Sequence, residues 1–248
     1  MKNLLAALSF LSFAAAFSGA ITVHASGAGY RLDRAPIDSN DMLSLQSGAR
    51  TFVNYCLNCH GAQYMRYNRL TDIGLTEKQI LDNLVFTGAK VGETMKVSLS
   101  AADAKAMFGA PPPDLSVIAR SRSADWLYTY MRTFYRDPKS PTGWNNAAFP
   151  QVAMPHALWS LQGERALEVI PAKGGHGPAE YKWTQLTPGT LNTVQYDIVV
   201  RDLVNFLDYI AEPAASSRKR IGVWVLFFLG LMFIFAYALK KEYWKDVK

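Results

Sequence analysis

The residues with the clearest chemical potential are Cys56-Leu57-Asn58-Cys59-His60, a stretch that contains both cysteines of the 248-residue chain. Thiols three positions apart on a helical turn lie on one side of it, and each can add to one vinyl group of a porphyrin. The histidine that follows is then directed at the porphyrin iron. The motif therefore predicts one covalently bound c-type haem, attached through Cys56 and Cys59, with His60 as the proximal ligand of the iron.

Other chemistries also use cysteines at this spacing. A thiol–disulfide redox pair is expected near a β-α-β unit, whereas the residues before Cys56 have a helical pattern. A structural zinc site needs four ligands, and the sequence has no second cluster of cysteine and histidine. Haem attachment is therefore the interpretation that the sequence favours.

An iron that transfers electrons needs a sixth ligand, and a thioether sulfur in that position raises the reduction potential. Met154 lies in an irregular stretch between Pro150 and Pro155. These prolines stiffen the loop, and Pro155 disfavours a helix at Met154 itself. A stiff loop is a suitable support for one sulfur atom. The residues alone leave three further candidates open: Met95, Met107 and His156.

Arg120 follows the proline-rich segment 111–116. One interpretation is an ordinary surface arginine. The other is a cation that pairs with a haem propionate, because a planar guanidinium suits a partly buried carboxylate. The residues alone do not separate the two.

Both ends of the chain predict contact with a membrane. Residues 1–25 have the pattern of a cleaved signal peptide, with Lys2 before an apolar stretch and small residues near position 25. Residues 221–239 carry no charge, and as a helix they would span about 28 Å, close to the hydrocarbon thickness of a bilayer. An uncleaved N-terminal anchor and a buried soluble helix are the alternatives. An export signal followed by a stop-transfer helix predicts a single-pass protein with its main domain outside and its C-terminus in the cytoplasm.

The charge distribution agrees with this topology. Residues 26–212 contain 18 basic and 18 acidic side chains, so the formal charge of +6 comes from residues that flank the apolar segments. A protein that binds nucleic acid would be expected to carry a basic stripe on its folded domain. The sequence therefore predicts contact with membrane lipid. It predicts no nucleic-acid partner.

The rest of the chain predicts helices joined by long irregular loops. Four segments have helical signals: 41–54 with Ser39 or Asn40 as cap, a helix opened by a Thr76–Gln79 capping box, 125–135 capped by Ser123, and 193–211. Residues 137–186 show little periodicity, apart from a possible hairpin arm at 182–186. We therefore expect a mainly α fold: a cytochrome c-like haem domain over 26–212 with long irregular loops, then an anchor over 213–248 with one C-terminal transmembrane helix.

Several ordered segments together resemble cytochrome c1, the haem subunit of the cytochrome bc1 complex. They are GAR at 48–50, VNYCLNCH at 53–60, YMRYNRL at 64–70, PPDLSVIAR at 112–120, AMP at 153–155, AEP at 211–213 and RKR at 218–220. The resemblance implies His60 and Met154 as axial ligands of the iron, Arg120 at a haem propionate and Pro112 within the cofactor site.

The resemblance also implies a function. In that family the Rieske iron–sulfur protein reduces the haem, which then reduces a cytochrome c, and cytochrome b completes a dimeric complex. The chain would be a subunit of a ubiquinol–cytochrome c reductase, without bond chemistry of its own, in a bacterial inner membrane with its haem domain in the periplasm. The sequence lacks the long acidic insertion of some members and a second cysteine pair.

Other functions predict different properties. A membrane-anchored cytochrome c that serves a terminal oxidase is the nearest alternative, and the PPDLS segment argues against it. A haem peroxidase would need an open iron and a distal acid–base residue. A haem sensor would need an intracellular domain, and only nine residues follow Leu239.

Overall fold

The computed structural model of the protein describes residues 30–170 and 179–246. Its helices are α1 Met42–Tyr55, α2 Glu77–Leu84, α3 Ala101–Phe108, α4 Ile118–Arg122, α5 Ala124–Arg132, α6 Trp159–Gln162, α7 Thr193–Ala211 and α8 Ala215–Tyr243, with a 3-10 helix at Tyr67–Ile73. Its strands are β1 Ala62–Arg66, β2 Thr94–Met95, β3 Phe134–Arg136, β4 Trp144–Asn146, β5 Gly163–Ile170 and β6 Glu180–Pro188. The mainly helical fold with a C-terminal apolar helix is confirmed. The predicted signal peptide lies outside the described residues.

Helices α1 and α7 form the centre of the haem domain. Buried Leu45 and Phe52 on α1 pack into the same apolar core as Phe206 on α7. The helices approach so closely at Gly48 that an added Cβ would overlap the carbonyl of Asp202 and lie 2.6 Å from the Cβ of Phe206. Only glycine fits this contact, which sets the position of the helix that leads into the cysteine motif.

Helix α5 is fixed to α7 by polar contacts as well as by apolar packing. The hydroxyl of Tyr196 donates to the carbonyl of Met131 at 2.8 Å. Arg132 binds both carboxylate oxygens of Asp197, at 2.6 and 3.0 Å. These contacts place the end of α5 against the first turns of α7.

Several predicted helix boundaries agree with the structure. Thr76 and Gln79 form the expected capping box, Ser123 caps α5, and residues 193–211 form one helix. The expected cap of α1 was wrong: Asp41 takes this position and accepts from the amide of Ser44. Its carboxylate reaches the third amide of the helix, which is the usual geometry of an acidic N-cap.

The predicted helix over 125–135 was too long. It ends at Arg132, because residues 134–136 pair with residues 144–146 as antiparallel strands. The irregular stretch 137–186 also contains more order than expected. Its second half joins an antiparallel hairpin in which Gly163 pairs with Pro188 and Ile170 with Glu180. Many side chains of both strands are exposed, so the sequence lacks the alternation that marks a half-buried strand.

Helix α8 is longer than the 221–239 expected from uncharged residues alone. It is long and apolar enough to span a membrane from Ser217 to Tyr243, and its apolar side chains are exposed. The helix continues into charged residues at both ends, and long basic side chains of this kind are typical of the interfacial region of a bilayer.

Candidate functional site

The cysteine motif continues directly from the end of α1. The amide of Cys56 donates to the carbonyl of Phe52 at 2.8 Å, and the amides of Cys59 and His60 both donate to the carbonyl of Cys56. The motif therefore forms a tight turn that keeps the two thiols close. Both thiols are free, with Cys56 buried and Cys59 half-buried. Burial raises the pKa of the Cys56 thiol to about 12, so this thiol is protonated before it is attached to a porphyrin.

The imidazole of His60 is oriented by a backbone carbonyl. Its Nδ1 lies 2.7 Å from the carbonyl oxygen of Pro113. Because a carbonyl only accepts hydrogen bonds, Nδ1 carries the proton and Nε2 carries the free lone pair. Burial lowers the pKa of His60, which favours the neutral ring that an iron requires.

The segment that contains Pro113 is in turn bonded to the chain just after His60. The amide of Leu115 donates to the carbonyl of Gly61 at 2.8 Å. The carboxylate of Asp114 accepts from the amide of Gln63 at 2.9 Å and from the amide and hydroxyl of Ser116. Half-buried Pro112 immediately precedes Pro113. The proline-rich segment is thus a rigid support for the proximal histidine.

Met154 is positioned by a loop and by one long-range contact. Its side chain is half-buried and packs against the main core, and its Sδ accepts a hydrogen bond from the hydroxyl of Tyr130 at 3.3 Å. Burial raises the pKa of Tyr130, so its hydroxyl remains a protonated donor. The loop itself is tied to buried Asn146, whose side-chain oxygen accepts from the amides of Ala148 and Phe149 at 2.9 and 3.1 Å.

The other candidate sixth ligands have different surroundings. Met107 is 66% exposed. Met95 is fully buried, and its backbone pairs with Ala62, which ties it to the segment that follows His60. His156 is also buried; its Nε2 lies 2.8 Å from Oε1 of Gln162 and its ring stacks on Phe134. Burial lowers the pKa of His156 to about 3, so this ring is neutral. A neutral ring does not set His156 apart from His60, but the packing of His156 against Gln162 and Phe134 holds it in the core. Together with the exposure of Met107 and the attachment of Met95 to the segment after His60, this favours Met154.

Two arginines of the short helix α4 lie in different places. The side chain of Arg120 is 64% exposed, and its Nη1 is 4.0 Å from Oε2 of Glu212. The guanidinium of Arg122 lies 5.2 Å from the ring centroid of Trp126 and 5.8 Å from that of Phe149. Arg122 therefore borders the loop that carries Met154. Sequence reasoning considered Arg120 alone, although Arg122 is only two positions further along.

The residues present fit a c-type haem. The chain offers two free thiols on one turn, an imidazole with Nε2 available, and a thioether sulfur on a supported loop. Imidazole together with thioether is the ligand pair of c-type electron carriers. Fold and site together define the chain as a c-type cytochrome with a C-terminal apolar helix.

Comparison with known proteins agrees with this class. The profile of the Cytochrome C1 family matches residues 33–165 and 184–247. The chain is 50% identical to the ammonia monooxygenase gamma subunit of Nitrosomonas europaea over 224 residues, which covers 90% of the chain and 92% of that relative. It is 48% identical to cytochrome c1 of Allochromatium vinosum over 225 residues, with the same coverage, and 28% identical to cytochrome c1 of Rhodospirillum rubrum over 240 residues, covering 84% and 83%.

The chain belongs to the cytochrome c1 family. It carries covalently bound haem c, functions in electron transfer, and is a single-pass membrane protein with α8 as its candidate span. The resemblance noted from the sequence is thereby confirmed.

Proposed function

We propose that the chain is the haem-carrying subunit of a cytochrome bc1 complex, in which it accepts an electron from a Rieske iron–sulfur protein and passes it to a cytochrome c. The complex as a whole would act as a ubiquinol–cytochrome c reductase with cytochrome b as a further partner. Membership of the cytochrome c1 family supports the complex, and the observation that carries the haem site is the 2.7 Å contact between His60 Nδ1 and the carbonyl of Pro113. It leaves only Nε2 for the iron and fixes the plane of the ring.

The proposed roles of the site residues follow from their positions. Cys56 and Cys59 would hold the porphyrin through thioether links, and His60 and Met154 would be the protein ligands of its iron. The bound haem supplies one reversible one-electron change at its iron. The chain supplies two ligands whose supports are already in place: a proline-rich segment for His60 and a hydrogen-bonded loop for Met154. Ligands that are preorganised in this way need to move little when the charge changes.

We further propose that α4 supplies cations to the haem propionates. Arg120 is the residue that the family resemblance implies, and Pro112 lies beside the carbonyl that binds His60. Arg122 is a second candidate, since its guanidinium already lies over Trp126 and Phe149. A haem has two propionates, so the two arginines can act together.

The proposed topology places residues 26–212 in the periplasm of a bacterium after cleavage of residues 1–25, with the tail after α8 in the cytoplasm. Protease added to intact spheroplasts should then remove the haem domain and spare an epitope placed at the C-terminus. Protection of the haem domain would contradict this orientation.

The complex can be tested by purification of the chain from membranes in mild detergent. Co-purification of a b-type cytochrome and an iron–sulfur protein supports the proposal. The name of the Nitrosomonas europaea relative provides a second candidate, association with a monooxygenase. Recovery of a copper or iron monooxygenase, or of a terminal oxidase, in place of the b-type cytochrome would overturn the bc1 assignment.

The electron-transfer role has its own optical test. If Met154 is the second protein ligand of the iron, the spectrum of the reduced protein should not change on addition of carbon monoxide. A spectral shift would show an accessible iron and would favour ligand-binding or peroxide chemistry.

A further inference from the structure

The hydroxyl of Tyr130 donates a hydrogen bond to a sulfur atom. It lies on α5, and its oxygen is 3.3 Å from Sδ of Met154, 24 positions further along the chain. A buried tyrosine hydroxyl normally finds an oxygen or nitrogen acceptor, because thioether sulfur is a weak one. We therefore expect this hydrogen bond to have a role other than giving the buried hydroxyl a partner.

The ring of Tyr130 has little freedom to turn away from the sulfur. Only 8% of the residue is exposed. Its ring stacks on Trp126 with centroids 4.7 Å apart and meets the ring of Phe134 edge-on at 5.0 Å. Apolar side chains on both sides thus hold the hydroxyl in one direction.

The same asparagine ties the donor and the acceptor together. Nδ2 of Asn146 donates to the backbone carbonyl of Tyr130 at 2.7 Å, while its Oδ1 accepts from the amides of Ala148 and Phe149 in the loop that leads to Met154. Asn146 is fully buried. The distance between the Tyr130 hydroxyl and the Met154 sulfur is therefore determined by connected bonds on both sides.

We propose that Tyr130 is a positioning residue that orients the Met154 sulfur and sets how strongly it donates to the iron. This inference rests on the proposed role of Met154 as the sixth ligand. A thioether sulfur has two lone pairs, so it can bind iron with one and accept the tyrosine proton with the other. The hydrogen bond withdraws electron density from the sulfur, which disfavours the oxidised, more positive iron and raises the reduction potential.

The test is Tyr130→Phe, which keeps the ring and removes only the hydroxyl. The purified complex should show a lower midpoint potential in a redox titration. We expect about a threefold change in the equilibrium constant for reduction, or about 28 mV at 59 mV per tenfold change. The weak far-red absorption of sulfur bound to oxidised iron should persist, because Met154 is still present.

Tyr128→Phe is the matched control. Tyr128 lies on the same helix, is similarly buried and has its ring beside Arg132 rather than Met154. Its substitution should leave the potential unchanged. If Tyr130→Phe shifts the potential no more than Tyr128→Phe does, the inference is overturned.

Two further measurements separate this inference from the proposed ligand set. In a chain that already carries Met154→Leu, the added Tyr130→Phe change should have no further effect on the potential. If Met154→Leu itself changes neither the potential nor carbon monoxide binding, the ligand assignment fails and the role of Tyr130 fails with it. If Met154→Leu has both effects and Tyr130→Phe has none, only the role of Tyr130 fails.

A measurement on the wild-type protein covers the case in which Tyr130→Phe does not accumulate. In deuterated buffer the iron–sulfur vibration should shift if the hydroxyl proton is bonded to the sulfur. An unchanged vibration after complete exchange of the hydroxyl would overturn the inference.

Discussion

The carbonyl of Pro113 orients His60, whereas the side chains of Tyr130 and Asn146 hold Met154 and its loop. The histidine side depends on backbone atoms and on a covalent motif that continues from α1. The methionine side depends on side-chain hydrogen bonds, although Tyr130 is nearer to Met154 in sequence, at 24 positions, than Pro113 is to His60, at 53. Backbone contacts survive most side-chain substitutions. We therefore expect mutations to displace Met154 from the iron more readily than they displace His60.

The largest expected effect is that of Met154→Leu. Leucine cannot bind iron, so the stabilisation of reduced iron by sulfur is lost and the sixth position opens. We expect at least about a hundredfold change in the equilibrium constant for reduction, or about 120 mV at 59 mV per tenfold. Redox titration and the carbon monoxide spectrum measure this. Met107→Leu, at an exposed position, is the control; equal effects of the two changes would contradict the ligand assignment.

Asn146→Ala tests the support of the methionine loop. The change leaves several buried backbone partners without a hydrogen bond, at a cost of about 2–3 kcal/mol in the free energy of unfolding. Thermal unfolding should occur at a lower temperature, and part of the protein should bind carbon monoxide. Asn83→Ala removes an exposed asparagine whose side-chain amide donates to the carbonyl of Gln79 in its own helix, so it should do neither. Undiminished stability after Asn146→Ala would show that the loop is held by other contacts.

Asp114→Ala tests the support of the histidine side. It removes the carboxylate that accepts from Gln63 and Ser116, and we expect a loss of about 1 kcal/mol in unfolding free energy. Carbon monoxide should still not bind, because the thioether remains in place. Asp82→Ala, which breaks an exposed pair with Lys78, is expected to cost less. Carbon monoxide binding by Asp114→Ala would contradict the expectation that only changes on the methionine side expose the iron.

The smallest effects are expected from the arginines of α4. Loss of a cation near a propionate disfavours the reduced, less positive iron, so Arg122→Gln and Arg120→Gln should each lower the reduction potential. We expect a change of less than about threefold in the equilibrium constant for reduction, or less than about 28 mV. We expect the larger shift from Arg122, because its guanidinium borders the loop that carries Met154, whereas that of Arg120 lies 4.0 Å from Glu212. Lys78→Gln controls for the loss of a surface charge. An unaltered potential after Arg120→Gln would show that Arg120 does not pair with a propionate and contacts Glu212 instead.

The sequence separation of a contact determines what the sequence could predict on both sides, and the Pro113 carbonyl that orients His60 from 53 positions away was not predicted either. The cysteine motif and the Thr76–Gln79 capping box are local, so spacing alone identifies them. The role of Asn146 depends on residues brought together by the β3–β4 pairing, and the contact of Tyr130 depends on a loop 24 positions away. The β5–β6 hairpin was largely missed because its exposed side chains follow no alternation. The flanking prolines made Met154 a candidate ligand, but its hydrogen-bonded partner has no signal in the sequence.

A last consequence concerns the short connection between α7 and α8. Only three residues, Glu212 to Ala214, separate the end of α7 at Ala211 from the start of α8 at Ala215. Even fully extended, this connection reaches about 14 Å, and the contact of Glu212 with Arg218 at 2.9 Å shortens it further. The short connection therefore keeps the haem domain close to the bilayer surface. We expect its redox partners to move towards it, since it can move little towards them.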